Sequence, residues 1–179
     1  FFNSLYYNHF CTILMNSDMK TKLKKIKLVI TDVDGVLTDG CMYYNQEGEY
    51  MKKFNTKDSM GMELLLQNQI KSILLTRENS KIVKERAKKI KIIELYSNIL
   101  KKEEILPEIL EKYHVTNIET AYIGDDVNDI EIMKLVGFSA TPLDGNYEVK
   151  KISDYICKTN GGQGAFREIS DLIIQSKNN

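Results

Sequence analysis

Residues 27 to 40 read KLVITDVDGVLTDG: a short β-branched run that ends in two aspartates, Asp32 and Asp34, and a glycine. Its apolar part, Ile26 to Thr31, is continuous rather than alternating, which is the pattern of a strand covered on both faces. Carboxylates crowded at the end of such a strand are costly. Two unit charges about 4 Å apart repel by roughly 4 kcal/mol at an effective dielectric near 20. Such a group must protonate, pair or bind a cation.

Working outward, apolar runs alternate with helical patterns. Cys41–Tyr44 and Glu49–Phe54, around Asn45-Gln46-Glu47-Gly48, predict a β-hairpin. Further strands are expected at Ser72–Leu75, Ile92–Tyr96, Thr120–Ile123 and Phe138–Ala140. Helices are expected at Ser59–Asn68, Ser80–Ile90, Lys101–Tyr113, Asp126–Val136 and Phe166–Ile174, with a helix and a short strand across Tyr147–Cys157. Alternation of this kind predicts an α/β fold: three layers, with a Rossmann-like parallel sheet and helices on both faces. The hairpin is a small flap, and no cap domain is expected. Residues 1–20 read as a poorly ordered extension and 21–179 as one domain.

In parallel sheets, ligands sit beyond the carboxyl ends of the strands. Asp32 and Asp34 follow the first strand, Thr76 the second, and Asp125, Asp126 and Asp129 of GDDVND the fourth. These residues therefore converge on one rim. Carboxylate and water oxygens suit a hard cation, Mg²⁺. Asp-Gly pairs often serve only as turn formers and strand-end caps. That reading fits either acidic motif alone and weakens for the two together, each following a strand, with Thr76 and a lysine between them.

Lys+Arg and Asp+Glu number 25 each in 179 residues, so no net field favours nucleic acid or an anionic membrane. No apolar stretch approaches the ~20 residues that span a bilayer. Cys11, Cys41 and Cys157 are odd in number and lack CxxC spacing, which fits a reduced, cytoplasmic protein without zinc or disulfides. The first residues lack a basic n-region and an initiator Met, so a signal peptide is not expected. A start at Met15 or Met19, or a cut from a longer fusion, fits them. His9 and His114 have no partner pattern and read as structural.

The series DxDGVLTDG, Thr, Lys, GDDxND resembles the haloacid dehalogenase superfamily of phosphotransferases over residues 26 to about 175. The resemblance implies that Asp32 is a nucleophile forming an aspartyl-phosphate, and that Asp34 is the general acid and then base. It implies Mg²⁺ held by the Asp32 side chain, the Asp34 main-chain carbonyl and Asp125, with Asp126 and Asp129 supporting the ion. Thr76 would donate to a phosphoryl oxygen. Lys102, with Lys101 as the fallback, would offset charge on the nucleophile and phosphate. Residues 36–58, between DVDG and the next helix, are too few for the cap that most members carry. The capless branch is the one resembled, also through KKFNTKDSMG (52–61) and GGQGAFRE (161–168). That branch hydrolyses phosphates of 3-deoxy-2-ulosonic acids, and it implies a homotetramer in which hairpins complete neighbouring sites. A plain flexible turn is the simpler reading of the glycine segment, and sheet packing that of Tyr43, Tyr44 and Tyr50.

Two substrates compete within the branch. Octulosonate 8-phosphate phosphatases usually carry Thr/Ser-Gly-Arg-x-Ser after the second strand, where this chain has Thr76-Arg77-Glu78-Asn79-Ser80. Glu78 with Lys89 looks more like the nonulosonate 9-phosphate phosphatases of sialic-acid-type sugars. The preference is therefore for the nine-carbon substrate, with Glu78, Lys89 and Arg77 as substrate-binding candidates. Glu78 is also an ordinary residue for a helix N-terminus. Arg77 replaces a glycine: either no positive φ is needed there, or the side chain adds a contact. Two rivals of other classes remain. A receiver domain would need a lone aspartate after Ile92–Tyr96, and none is there. A non-catalytic tetramerising module of a sugar-activating cytidylyltransferase should have lost some of these residues.

Overall fold

The computed structural model describes residues 16–178. In chain order its elements are α1 (Ser17–Lys25), β1 (Leu28–Thr31), β2 (Tyr43–Asn45), β3 (Gly48–Met51), α2 (Thr56–Gln67), β4 (Lys71–Leu75), α3 (Lys81–Ala87), β5 (Glu94–Tyr96), α4 (Lys102–Tyr113), β6 (Thr120–Ile123), α5 (Ile130–Leu135), β7 (Phe138–Thr141), α6 (Tyr147–Ile152), β8 (Tyr155–Ile156) and α7 (Ala165–Asn178). Six strands form one sheet in the order β5-β4-β1-β6-β7-β8, and every pairing in it is parallel. The strands β2 and β3 form a separate antiparallel hairpin.

Burial on both faces explains why β1 reads as a continuous apolar run. Val29 faces one core with Leu23 of α1, Met62 and Leu65 of α2, and Phe166, Ile169 and Ile173 of α7. Leu28 and Ile30 face the other with Leu106 and Ile109 of α4, Ile132 of α5 and Val149 of α6. The three layers follow directly. From β1 the chain passes to β4 on one side, and from β6 to β7 on the other. The carboxyl ends of β1 and β6 are therefore the point where the winding reverses, the usual place for a ligand in such sheets.

Two expectations change. The segment expected as an extension, 1–20, lies mostly outside the described residues, as do His9 and Cys11, but its last residues enter the helix Ser17–Lys25. Asn16 caps that helix by accepting from the Met19 amide, Leu23 is fully buried, and Lys22 pairs with Asp154 at 2.7 Å. Its mean character is polar, and its main packing partner is α7, far along the chain. The single helix expected over Asp126–Val136 is a 3-10 turn, Val127–Asp129, followed by α5. The break arises because Asp129 turns its side chain back to accept from the main-chain amides of Asp125 and Asp126.

Among the described residues, Cys41 is free and exposed and Cys157 is free and buried. No described helix is long and apolar enough to cross a membrane. His114, expected to be structural, ends α4 in a left-handed conformation with φ 53°.

Candidate active site

β1 sits between β4 and β6, with Thr31 opposite both Leu74 and Ile123. The residues just past these ends, Asp32, Thr76 and Asp125, therefore share one rim. The Asp32 amide extends the ladder by donating to the Ile123 carbonyl at 2.9 Å. The chain then turns sharply, with the Leu37 and Thr38 amides donating to the Val33 carbonyl. Gly35 makes the turn possible. Its φ is +84°, and a Cβ there would lie 1.9 Å from Asp125 Oδ2. Gly35→Ala is accordingly expected to displace Asp125 and lower divalent-metal affinity by roughly 10–100-fold, read from a Mg²⁺ titration of activity.

The segment GGQG braces the same turn from outside. The Gly162 amide donates to the Val36 carbonyl at 2.9 Å, and the Gly161 amide donates to Asp144 at 2.8 Å. A Cβ on Gly161 would lie 1.9 Å from the Gly35 carbonyl oxygen. Close approach of two loops, not flexibility, is what these glycines provide.

Three carboxylates, Asp32, Asp125 and Asp129, each offer an oxygen within 4.8 Å of the others. Among the described residues, one cation enters this group. Lys102, with no exposed surface, lies 2.7 Å from Asp32 Oδ2 and 2.6 Å from Asp129 Oδ1. Lys101, the alternative lysine, is exposed and pairs with Glu104. Burial disfavours the charged ammonium, but Asp32 and Asp129 outweigh it and hold the Lys102 pKa above its ordinary value. Asp129 is fully engaged: Oδ1 accepts from Lys102 and from the Tyr122 hydroxyl at 2.7 Å, while Oδ2 accepts from the two backbone amides. It orients the loop, while Asp32 also uses both oxygens, accepting from the Val33 amide at 2.7 Å and pairing with Lys102.

One lysine does not neutralise three acids. Burial, then repulsion from Asp129, push Asp32 up to about 7. Burial, then repulsion from Asp32 and Asp129, push Asp125 up to about 8. The all-oxygen donor set and these suppressed acidities fit a hard divalent cation. The folded state holds these protons at pH values where the unfolded chain has released them. Stability of the metal-free protein should therefore fall as pH rises from about 4 to about 8. Mg²⁺ should remove most of that slope; melting curves with Mg²⁺ or with EDTA across this range check it.

Asp34 does not join the three-carboxylate group. Its Oδ1 accepts from Lys52 Nζ at 2.5 Å and lies 3.4 Å from Thr38 Oγ1. Asp126 is exposed, caps the 3-10 turn through the Val127 amide, and accepts from Asn146 at 3.1 Å. Thr76 is buried, and its hydroxyl oxygen accepts from the Glu78 amide at 3.1 Å. Arg77, Glu78 and Lys89 are exposed, and among the described residues no ion pair joins Glu78 to Lys89. Arg77 is not in a positive-φ conformation, so a glycine is not required there.

Lys52 escaped the sequence reading. It follows the end of β3, and its side chain turns inward to Asp34 and Glu49 while Lys53 stays exposed. Tyr43 and Tyr50 pack on each other edge-on with centroids 6.5 Å apart, and both Tyr44 and Tyr50 remain exposed.

The comparisons with known proteins agree with this geometry. The model of haloacid dehalogenase-like hydrolases matches residues 20–169. The chain is 39% identical, over 89% of its length and 88% of the relative's, to a 3-deoxy-D-manno-octulosonate 8-phosphate phosphatase of Haemophilus influenzae. A cobalt-bound structure of that enzyme type from the same organism has a TM-score of 0.85 at 39% identity, covering 88% of this chain and 92% of that one. The Moraxella catarrhalis phosphatase, solved with magnesium, phosphate and the sugar acid, has a TM-score of 0.86 at 36% identity, covering 89% and 92%. These relatives carry the eight-carbon substrate in their names, against the nine-carbon preference drawn from Glu78. With the fold, the acidic rim and the matched family in accord, the chain belongs to the haloacid dehalogenase-like hydrolases.

Proposed function

We propose that this chain is a Mg²⁺-dependent phosphatase of a 3-deoxy-2-ulosonic acid phosphate, with the eight-carbon 8-phosphate as its substrate. The observation that carries the chemistry is the convergence of Asp32, Asp125 and Asp129 around Lys102 where β1 and β6 end. The choice of eight carbons rests on the relatives.

In this reading an Asp32 oxygen attacks phosphorus, the bond to the sugar oxygen breaks, and Asp34 gives the departing alkoxide a proton. Asp34 then takes a proton from water, the water oxygen bonds to phosphorus, and the bond to Asp32 breaks. Inorganic phosphate leaves and Asp32 is restored. Lys102 offsets charge on Asp32 and on the phosphoryl group, and Thr76 donates to a phosphoryl oxygen. The Asp32 side chain, the Asp34 main-chain carbonyl and Asp125 would hold the cation, which when bound neutralises charge on phosphate and carboxylates. Asp126 and Asp129 keep that loop in place. Arg77 and Glu78 follow β4 and Lys89 follows α3; all three are exposed and stand as the candidates for contact with the sugar acid.

A homotetramer fits the hairpin, which leaves Met42, Tyr44, Tyr50 and Met51 exposed; such a protein elutes near four times the 20.7 kDa chain mass. The free cysteines support a cytoplasmic setting. The deciding experiment measures phosphate release from eight- and nine-carbon ulosonate phosphates. A higher kcat/KM for the eight-carbon ester supports the reading, and a clear nine-carbon preference returns the choice to Glu78. No release from either with any divalent metal would favour the non-catalytic module.

A further inference from the structure

We infer that Lys52 is a positioning residue for Asp34, fixing one oxygen of that carboxylate so that the other is presented to the leaving group. The inference rests on the phosphatase reading and assigns the proton-transfer oxygen within it. Asp34 Oδ1 is held by Lys52 at 2.5 Å, with Thr38 Oγ1 at 3.4 Å, and Oδ2 is buried without a hydrogen-bond partner among the described residues. A buried, unpartnered acceptor costs about 1–3 kcal/mol, and each such atom in a folded protein calls for a reason. Here the reason is the substrate oxygen that Oδ2 must reach.

Lys52 is itself placed with unusual care. Its side chain has no exposed surface, and its ammonium lies 2.8 Å from Glu49 as well as beside Asp34. The Ser80 hydroxyl donates to Glu49 in turn. Ser80 caps α3 through the Val83 amide and follows the turn that begins at Thr76. A chain of four side chains, Ser80, Glu49, Lys52 and Asp34, therefore joins the phosphate-binding turn to the DVDG loop through the hairpin. A flap with this connection does more than cover the site. It sets the angle of the acid.

Leaving-group dependence separates this role from a general structural one. An alkyl phosphate needs a proton on its departing oxygen, whereas p-nitrophenolate leaves without one. kcat/KM reports the step in which that bond breaks. Lys52→Met is expected to lower kcat/KM on a sugar-acid phosphate by on the order of 10²-fold. The fall on p-nitrophenyl phosphate should be at least about tenfold smaller, since general-acid help is worth 10²–10⁴ only where a proton is needed. Glu49→Gln, which keeps the shape of the clamp, should move the same ratio in the same direction, and Lys52→Arg should restore part of it. If Lys52→Met fails to fold, the Glu49→Gln ratio decides. Equal losses on both substrates, a rise in KM alone, or no change on either would overturn the inference. A wild-type protein that releases phosphate from neither ester would overturn the phosphatase reading, and the inference with it.

Discussion

Asp32→Asn is expected to reduce phosphate release by on the order of 10³-fold or more while the protein stays folded. The amide is isosteric, and its one oxygen can accept from either the Val33 amide or Lys102, where Asp32 serves the two with Oδ1 and Oδ2. What it lacks is a carboxylate able to attack phosphorus. The charge balance argues that the variant should melt no lower than wild type in EDTA at pH 8. Asp32, Asp125 and Asp129 face a single lysine, and removing one acid relieves the repulsion that pushes Asp125 up to about 8. Retained turnover by a folded Asp32→Asn protein would remove Asp32 from the chemistry. Parallel loss of activity and stability would make it structural.

Lys102→Met should have the largest effect on stability. Methionine nearly matches the volume of the side chain but leaves the buried Asp32 and Asp129 facing each other without their cation. Breaking a buried pair by removing one partner costs roughly 3–5 kcal/mol. For a domain of this size that is a fall of about 10 °C in Tm. The sign with pH is fixed by which groups are orphaned. With Lys102 gone, the buried Asp32 carboxyl, already pushed up to about 7, loses the cation that opposes that rise and holds its proton to higher pH, so the defect is greatest at pH 8 and shrinks as pH falls. Thermal unfolding at pH 8 and pH 5 measures it. A defect of equal size at both would mean that packing, not charge, is what Lys102 contributes.

How much of this was legible in the sequence depended on how local each signal was. Ile26–Thr31 identified a two-faced strand because both faces of β1 are buried, and Thr120–Ile123 did so for the same reason. DVDG and GDDVND located the acidic rim because each is a contiguous motif at a strand end. Lys102 rather than Lys101 came from resemblance alone; burial now separates them, one with no exposed surface and the other paired with Glu104 at the surface. Lys52 was missed because its partner Asp34 lies across a hairpin whose docking no local pattern encodes. The helix Ser17–Lys25 was missed because the α7 surface that fixes it is brought together only by the finished fold. GGQG stood out by resemblance, with a plain turn as the simpler alternative; its packing was not legible because the atoms that require glycine belong to another loop. The break at Asp129 was hidden by a helical pattern that a single inward carboxylate overrides.

The central claim, that a divalent cation and Lys102 let Asp32 accept a phosphoryl group, is tested most directly by acid quench during turnover. Protein mixed with Mg²⁺ and the octulosonate ester labelled with ³²P at its phosphate should carry label on an aspartyl group. That label should map to Asp32, disappear when EDTA replaces Mg²⁺, and be absent from Asp32→Asn. Steady turnover with label on another residue, or turnover indifferent to metal, would contradict the account.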